Sequence, residues 1–364
     1  MNVPKIAREG LRSVGKLFSP KGAQEDTLEA LWPDRGGSCI RNRGKSWLET
    51  QVDLSIIIPC YNNAPYLRGC LDSVLGQKTA YSFEAVVIDD GSTDETPEIL
   101  KAYAANPRVR LLRQENQGHS GARNAGLSVC RGKYLLFHDS DDTLLPGSIQ
   151  ALLDCAFQND ADIAIGGYVC KDAAGNVTPG KTYSAGPVTD RECIPGMTCG
   201  KAFRRRSWAN LQFPLGYWYE DSVISQILLP MARRIYAIDA PVFAYLLNPQ
   251  GVSAASQGRP KSLESLYVTR RLLKEREFFG LRYDTDAYTH FLHMVLLTYH
   301  RTRLLPKDVP YAVFLCQRQL QSTYFPGIPA PERYASLAES LEKGRFRNYL
   351  WLCETLWLKN RMGG

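Results

Sequence analysis

The chain has 364 residues, 44% of them apolar and 22% charged, with a formal net charge of +7. That length leaves room for two domains, and the composition is that of a folded globular protein rather than a disordered or fibrous one. So modest a positive charge makes no case for a nucleic-acid partner, and no run of about 18 uncharged apolar residues is present to span a bilayer.

The charge is unevenly spread. Residues 1–50 carry three more basic than acidic residues and residues 259–364 carry seven more, so the stretch between them is net acidic. The ten cysteines include no CxxC pair and no zinc-type spacing. A reduced, cytoplasmic protein with small buried thiols is the expectation. Charge interrupts the first apolar residues, so no signal peptide is expected.

Residues 1–50 read as a basic extension and linker. Val3, Ile6, Leu11, Val14, Leu17 and Phe18 recur at helical spacing, with Lys5, Arg8, Arg12 and Lys16 between them. This suits a basic amphipathic helix on an anionic membrane, or equally a helix packed on the protein. DRGGSCIRNRGKS then reads as a glycine-rich linker.

From Asp53 short apolar strands alternate with helices. DLSIIIP, FEAVVIDD, RVRLLR, KYLLFHD and ADIAIGGY read as strands. NNAPYLRGCLDSVLGQ, STDETPEILKAYAAN, GHSGARNAGLSVCR and PGSIQALLDCAFQN read as helices. The alternation predicts a mostly parallel sheet with helices on both faces. In such sheets ligands collect at the carboxyl ends of strands. PCYNN, DDGSTD and DSDD each follow a strand. Beyond residue 170, GMTCGKAFRRRSW and FPLGYWYEDSVISQILLP have a loop-then-helix character, and RIYAID and PVFAYLLN read as short strands. From about residue 260 five helical segments follow.

Asp139 and Asp141 are two apart, so in extended chain both carboxylates face one side. That is costly unless a cation lies between them, and Mg²⁺ held by carboxylates and substrate phosphates would relieve it. The other reading is a solvated turn in which Asp142 or Thr143 caps the next helix. Asp89 and Asp90 end a strand, where a carboxylate can accept from a base or ribose or simply organise a turn. ENQGHSGARNAG carries Gly118, Gly121 and Gly126 but is neither a Walker loop nor GxGxxG. Its Arg123 is suited to phosphate or to carboxylate.

Taken in order, LSIIIPCYNNAPYLRGCLDSVLGQ, EAVVIDDGSTDET, ENQGHSGARNAGL and GKYLLFHDSDD closely resemble the N-terminal half of family 2 glycosyltransferases, inverting enzymes of the GT-A fold. The resemblance runs from residue 53 to about 255 and is closest up to about 145. It implies a first-strand loop with Pro59 and Tyr61, Tyr61 stacking near the base, and Asp90 on the uracil edge. Arg123 matches the arginine of the ARN helix. DSD matches the DxD motif, with Asp139 on ribose or metal-bound phosphate and Asp141 a ligand of Mn²⁺ or Mg²⁺. YWYEDSVI resembles the ED motif, which implies Asp221 as catalytic base and Glu220 as acceptor contact or orienter. CGKAFRRR resembles a segment often written nKlfrr. FAYLLNPQGVSAAS departs from the family, because Leu246 stands where a basic residue is common. His138 before the DxD is also unusual and reads as a strand-end histidine.

The resulting expectation is an α/β GT-A fold (Rossmann-like) with a C-terminal α-helical region. Its parts are an extension over 1–50, a catalytic domain over 51–258 and helices over 259–364. The activity would be metal-dependent, inverting hexosyl or hexosaminyl transfer from an NDP-sugar, foremost a UDP-sugar. The acceptor would be a glycan or lipid-linked hydroxyl in bacterial polysaccharide biosynthesis. Two rivals are a nucleotidyltransferase on a related sheet and a non-catalytic scaffold. His290, His293 and His300 share a helical face, as metal ligands or as polar and core histidines. RFRNYLWLCETLWLKNR suits peripheral contact with the inner face of the membrane or packing on the domain. The basic FRRRS at 203–207 reads as a solvated face or as a contact for an anionic acceptor.

Overall fold

The computed structural model describes residues 23–41, 49–248, 256 and 258–362. The amphipathic run at 3–18, the end of the glycine-rich stretch from residue 42 on and part of FAYLLNPQGVSAAS therefore lie outside the described residues. The chain forms two compact units. One holds residues 37–216 and 220–249; the other gathers the described residues up to 36, residues 217–219 and those from 250 onward.

After α1 (Ala23–Leu31), the first unit is built on strands β1 (Val52–Cys60), β2 (Phe83–Asp89), β3 (Val109–Arg113), β4 (Gly132–Phe137), β5 (Thr143–Leu144), β6 (Ile163–Lys171), β7 (Val177–Pro179), β8 (Gly186–Pro187), β9 (Lys201–Arg204) and β10 (Ile235–Leu246). Their order across the sheet is β3-β2-β1-β4-β9-β6-β10-β5, with β7 beside β6 and β8 beside β10. The pairs β1–β2, β1–β4, β2–β3 and β6–β10 are parallel. β9 runs antiparallel to both β4 and β6.

Helices α2 (Ala64–Leu75), α3 (Thr96–Lys101), α4 (Gly118–Val129) and α5 (Ser148–Gln158) connect these strands. The sheet is covered on both faces, which is why its central strands read as continuous apolar runs. Leu54, Ile56 and Ile58 of β1 share a core with Leu67 and Leu71 of α2 and with Ile149 and Leu152 of α5. Ile57 points to the other face, against α4. A Cβ on Gly126 would lie 2.4 Å from Ile57 Cγ2 and 3.0 Å from Ile88 Cδ1. The glycine is what lets that helix settle onto β1 and β2. The parallel register aligns Cys60 with Asp89 and Ile57 with Phe137, so β1, β2 and β4 end on one rim.

Four local expectations change. The helix after β2 is confined to Thr96–Lys101. RIYAID and PVFAYLLN are one strand, β10, with register shifts around Pro241 where the proline interrupts pairing. KAFR, read as loop, is β9, wedged into the middle of the sheet. Residues 37–41 run alongside residues 210–215 instead of spanning open space. Gly37 N–H donates to Leu215 O, Arg41 N–H to Asn210 O and Gln212 N–H to Cys39 O, each at 2.8 Å.

The second unit is helical: α6 (Glu264–Glu275), α7 (Thr285–Thr302), α8 (Val309–Tyr324), α9 (Ala335–Glu342) and α10 (Phe346–Met362). Glu264 anchors it, accepting from Trp32 Nε1 at 3.0 Å and from Trp218 N–H at 2.7 Å. His290 is enclosed, and burial lowers its pKa to about 3; His293 Nδ1 lies 3.4 Å from the Tyr334 hydroxyl. His300 stacks on Trp357 with ring centroids 3.8 Å apart. Among the described residues no metal-type cluster includes a histidine. On α10, Tyr349 and Cys353 are buried while Trp351 and Leu358 are exposed. No described helix is long and apolar enough to cross a membrane. All ten cysteines are free; eight are buried, and Cys170 and Cys193 are partly exposed.

Candidate active site

The rim formed by the ends of β1, β2 and β4 carries the polar clusters. Asp90 follows β2, held by its N–H bond to Cys60 O at 2.9 Å. Its Oδ1 accepts from Gln114 Nε2 at 2.6 Å and from Gln117 N–H at 3.0 Å. Gly91 then turns the chain at φ +79°, a conformation that L side chains adopt only with strain. Asp89 serves the turn: it accepts from Ser92 N–H at 2.9 Å and pairs with Arg113.

Pro59 is buried in β1 beside Ile88, and Tyr61 just past it is 49% exposed. Asn62, at φ +48°, accepts from Thr93 N–H at 2.8 Å and so ties the loop after β1 to the loop after β2. Asn63 Nδ2 donates to Ser140 Oγ at 2.7 Å and ties the same loop to DSD. Three strand-end loops are thereby cross-linked by side chains before any ligand arrives.

Helix α4 joins this rim to the ED segment. Asn124 forms a reciprocal pair with the Phe213 backbone: its Nδ2 donates to Phe213 O at 2.8 Å, and Phe213 N–H donates to its Oδ1 at 2.9 Å. Ser120 Oγ donates to Pro214 O at 2.7 Å. Arg123, only 3% exposed, donates through Nη2 to Asp139 Oδ1 at 2.8 Å and through Nη1 to Glu220 Oε1. Burial works against its charge, but Asp139 and Glu220 outweigh that and hold its pKa above the ordinary value. Burial also pushes Asp139 up, yet Arg123 and then His119 bring it below the usual carboxylate range. Glu220 moves the other way, raised chiefly by burial. Asp221 follows Glu220, and its carbonyl accepts from Ile224 N–H at 2.8 Å, opening a π-helical turn over Ile224–Leu228.

The remaining acids are crowded. Burial and then Asp139 raise Asp141. Asp142 is 1% exposed and is pushed up to about 9 by burial, Asp139 and Asp141. Its Oδ1 accepts from Leu246 N–H at 2.9 Å, and its Oδ2 is buried with no partner. It does not cap the next helix, which begins only at Ser148 after Gly147. Donor atoms of Asp139, Asp142 and Cys199 lie within 4.8 Å of one another. Asp139 and Asp142 close together, the latter with an orphaned oxygen, and Asp141 raised beside them fit a divalent cation, which reverses such crowding. Hard oxygen donors suit Mg²⁺ or Mn²⁺; the Cys199 thiol, raised well above its ordinary value by burial, suits them less.

The sequence profile described as Glycosyl transferase family 2 matches residues 55–210. The Bacillus subtilis (strain 168) protein named "Uncharacterized glycosyltransferase EpsJ" is 40% identical over 280 residues, covering 70% of this chain and 80% of that protein. The chain belongs to glycosyltransferase family 2. Escherichia coli (strain K12) "Uncharacterized glycosyltransferase YibD" is 33% identical over 247 residues, 61% of this chain and 70% of that one. In fold, this family 2 glycosyltransferase is similar to S. aureus TarS residues 1–349, solved in complex with UDP-GlcNAc. The TM-score is 0.66 at 19% identity, covering 85% of this chain and 92% of that one. The GT-A architecture with a helical C-terminal region follows from that likeness and from the sheet described above.

Several residues at the site were not singled out from sequence as site residues, Asp142 reading there as a turn or cap. Asp142 and Cys199 belong to the acid cluster. His119, at the start of α4, feels Arg123, Asp139, Asp141 and Asp90; desolvation and Arg123 lower its pKa. Lys201, 2% exposed on β9, donates to Met197 O at 2.7 Å, and burial lowers its pKa to about 8 despite the field of Asp221. Only the position of Lys201 on a central strand, and of Cys199 in the turn just before it, reveals them, and that stretch reads as loop. His138 is buried and neutral, its pKa lowered to about 4 by burial.

Proposed function

We propose that this glycosyltransferase moves a hexosyl or hexosaminyl group from a UDP-sugar to a hydroxyl of a glycan or lipid-linked acceptor, with inversion and with Mn²⁺ or Mg²⁺. The observation that carries the reading is the Arg123 bridge. It joins Asp139 of DSD to Glu220, the neighbour of Asp221, so donor-side and acceptor-side acids share one buried cation.

Tyr61 offers an exposed ring for the base. Asp90 offers Oδ2, since Oδ1 is occupied by Gln114 and Gln117, and that oxygen would accept the N3–H of uracil. Asp139 and Asp141 would hold the metal, with Asp142 beside them. When bound, the metal would neutralise charge growing on the diphosphate leaving group. Arg123 acts on the nucleotide through Asp139, keeping that carboxylate ionised and oriented. Asp221 takes the proton of the acceptor hydroxyl as its oxygen bonds to the anomeric carbon. The bond to the diphosphate oxygen breaks on the opposite face, and its electron pair leaves with UDP. General-base help of this kind contributes ~10²–10⁴ in rate. The division of labour we propose gives catalysis to the sheet unit and leaves residues 259–364 as a helical appendage.

The test is a UDP-release assay with a panel of UDP-sugars and Mn²⁺. Slow UDP release without acceptor is expected. No UDP release, with pyrophosphate released instead from UTP and a sugar 1-phosphate, would transfer the case to the nucleotidyl rival.

A further inference from the structure

The rim opposite the active site carries a second charged feature that glycosyl transfer does not use. β6 starts at Ile163, β10 starts at Ile235 and β9 ends at Arg204, so three strand ends meet there. β4 and β6 both run antiparallel to β9, so the start of β6 lies at the start of β4. That is one strand length from DSD, ~20 Å at the usual rise per residue.

A cavity of about 640 Å³ opens at this rim, lined by Asp162, Arg206, Ser207, Met231, Arg233 and Arg234. Its one acid, Asp162, and the neighbouring Asp160 are already engaged. Asp162 accepts from Arg233 N–H at 2.9 Å and Arg234 N–H at 3.1 Å and pairs with Arg204 and Arg206. Asp160 pairs with Arg204 and Arg234. Three guanidinium groups thus meet two carboxylates, and Arg233 adds only its backbone N–H. The Arg206 side chain remains 69% exposed, and the Arg233 guanidinium has no ion-pair partner among the described residues. The carboxylates hold Arg204 and Arg234 in place while leaving a surplus of positive charge at the mouth.

Planar guanidinium forks matched to tetrahedral oxyanions are the usual means of holding phosphate. The cavity has the volume of a small-ligand site. We propose that this pocket is a second binding site, separate from the catalytic rim, for a phosphate-bearing ligand, gripped by Arg206 and Arg233 with Ser207 as hydroxyl donor. The chemistry is shared by a soluble diphosphate and by the headgroup of an anionic lipid.

The test uses the full chain in EDTA, so that metal-dependent binding at DSD is silent. Inorganic pyrophosphate is titrated calorimetrically into the wild type, R206A/R233A, R233E and D141A. In parallel, the same proteins are floated with phosphatidylglycerol or phosphatidylcholine vesicles. Binding by wild type and D141A that weakens at least ten-fold in R206A/R233A and R233E, with unchanged melting curves, supports the site. Arginine-dependent flotation with phosphatidylglycerol identifies a lipid headgroup; pyrophosphate binding without flotation identifies a soluble ligand. Absence of both in the wild type, or equal binding by the arginine variants, overturns the proposal. Catalytic behaviour of D221N bears on none of these outcomes, so this proposal and the catalytic one fail separately.

Discussion

Arg123 and Glu220, 97 residues apart, form a buried ion pair whose second arm reaches Asp139. Removing the guanidinium strands two acids inside the protein. R123A should therefore cost on the order of 3–5 kcal/mol of stability, the range for a buried pair broken on one side. R123K should fall between, because one ammonium lacks the planar fork that spans both acids. Urea unfolding followed by circular dichroism measures both, and an R123A midpoint equal to wild type would show the bridge to be unnecessary.

D221N should lower turnover by ~10²–10⁴ while leaving the affinity for UDP unchanged. Steady-state kinetics alongside a UDP titration separates the two quantities. A variant that turns over normally would remove Asp221 from the base role.

D141A should abolish the gain in UDP affinity that Mn²⁺ confers, and D139A should do the same while also loosening Arg123. Calorimetry with and without Mn²⁺ reads the difference. Metal-enhanced binding surviving in D141A but lost in D142N would shift the ligand set toward Asp139 and Asp142, whose donor atoms already lie close together.

Y61A should weaken UDP binding by about 1–3 kcal/mol, the scale of base–aromatic stacking. Tyr61 supports no core, being 49% exposed, so its melting temperature should not change.

Asp142 has a folded pKa of about 9 against an ordinary 3.8. The folded protein thus holds this proton more tightly than the unfolded chain does. That contribution is complete below pH ~4 and is lost as pH rises toward 9. D142N should be more stable than the metal-free wild type at pH 8, by on the order of 1–3 kcal/mol, and gain nothing at pH 4. Thermal melts in EDTA at the two pH values check the sign.

The parallel core was legible because β1, β2 and β4 are buried on both faces and therefore read as unbroken apolar runs. The loops after them were legible because Asp90, Asp139 and Asp141 collect charge at the carboxyl ends of strands. β9 was not: four residues, two of them basic, carry no periodicity, and only packing between β4 and β6 makes Lys201 and Arg204 strand residues. Asp142 was read as a turn or cap residue because its partner, the Leu246 N–H, lies 104 residues away. The role of Arg123 was open between phosphate and carboxylate, and the closed Glu220 contact is a fact of tertiary structure alone.

The thiols offer a built-in reporter. With eight of ten cysteines enclosed, a small alkylating reagent should reach Cys170 and Cys193 first. The others become reactive only when their surroundings open. Mass spectrometry of a labelling time course would then rank the local opening of each strand and helix, without introducing a single foreign probe.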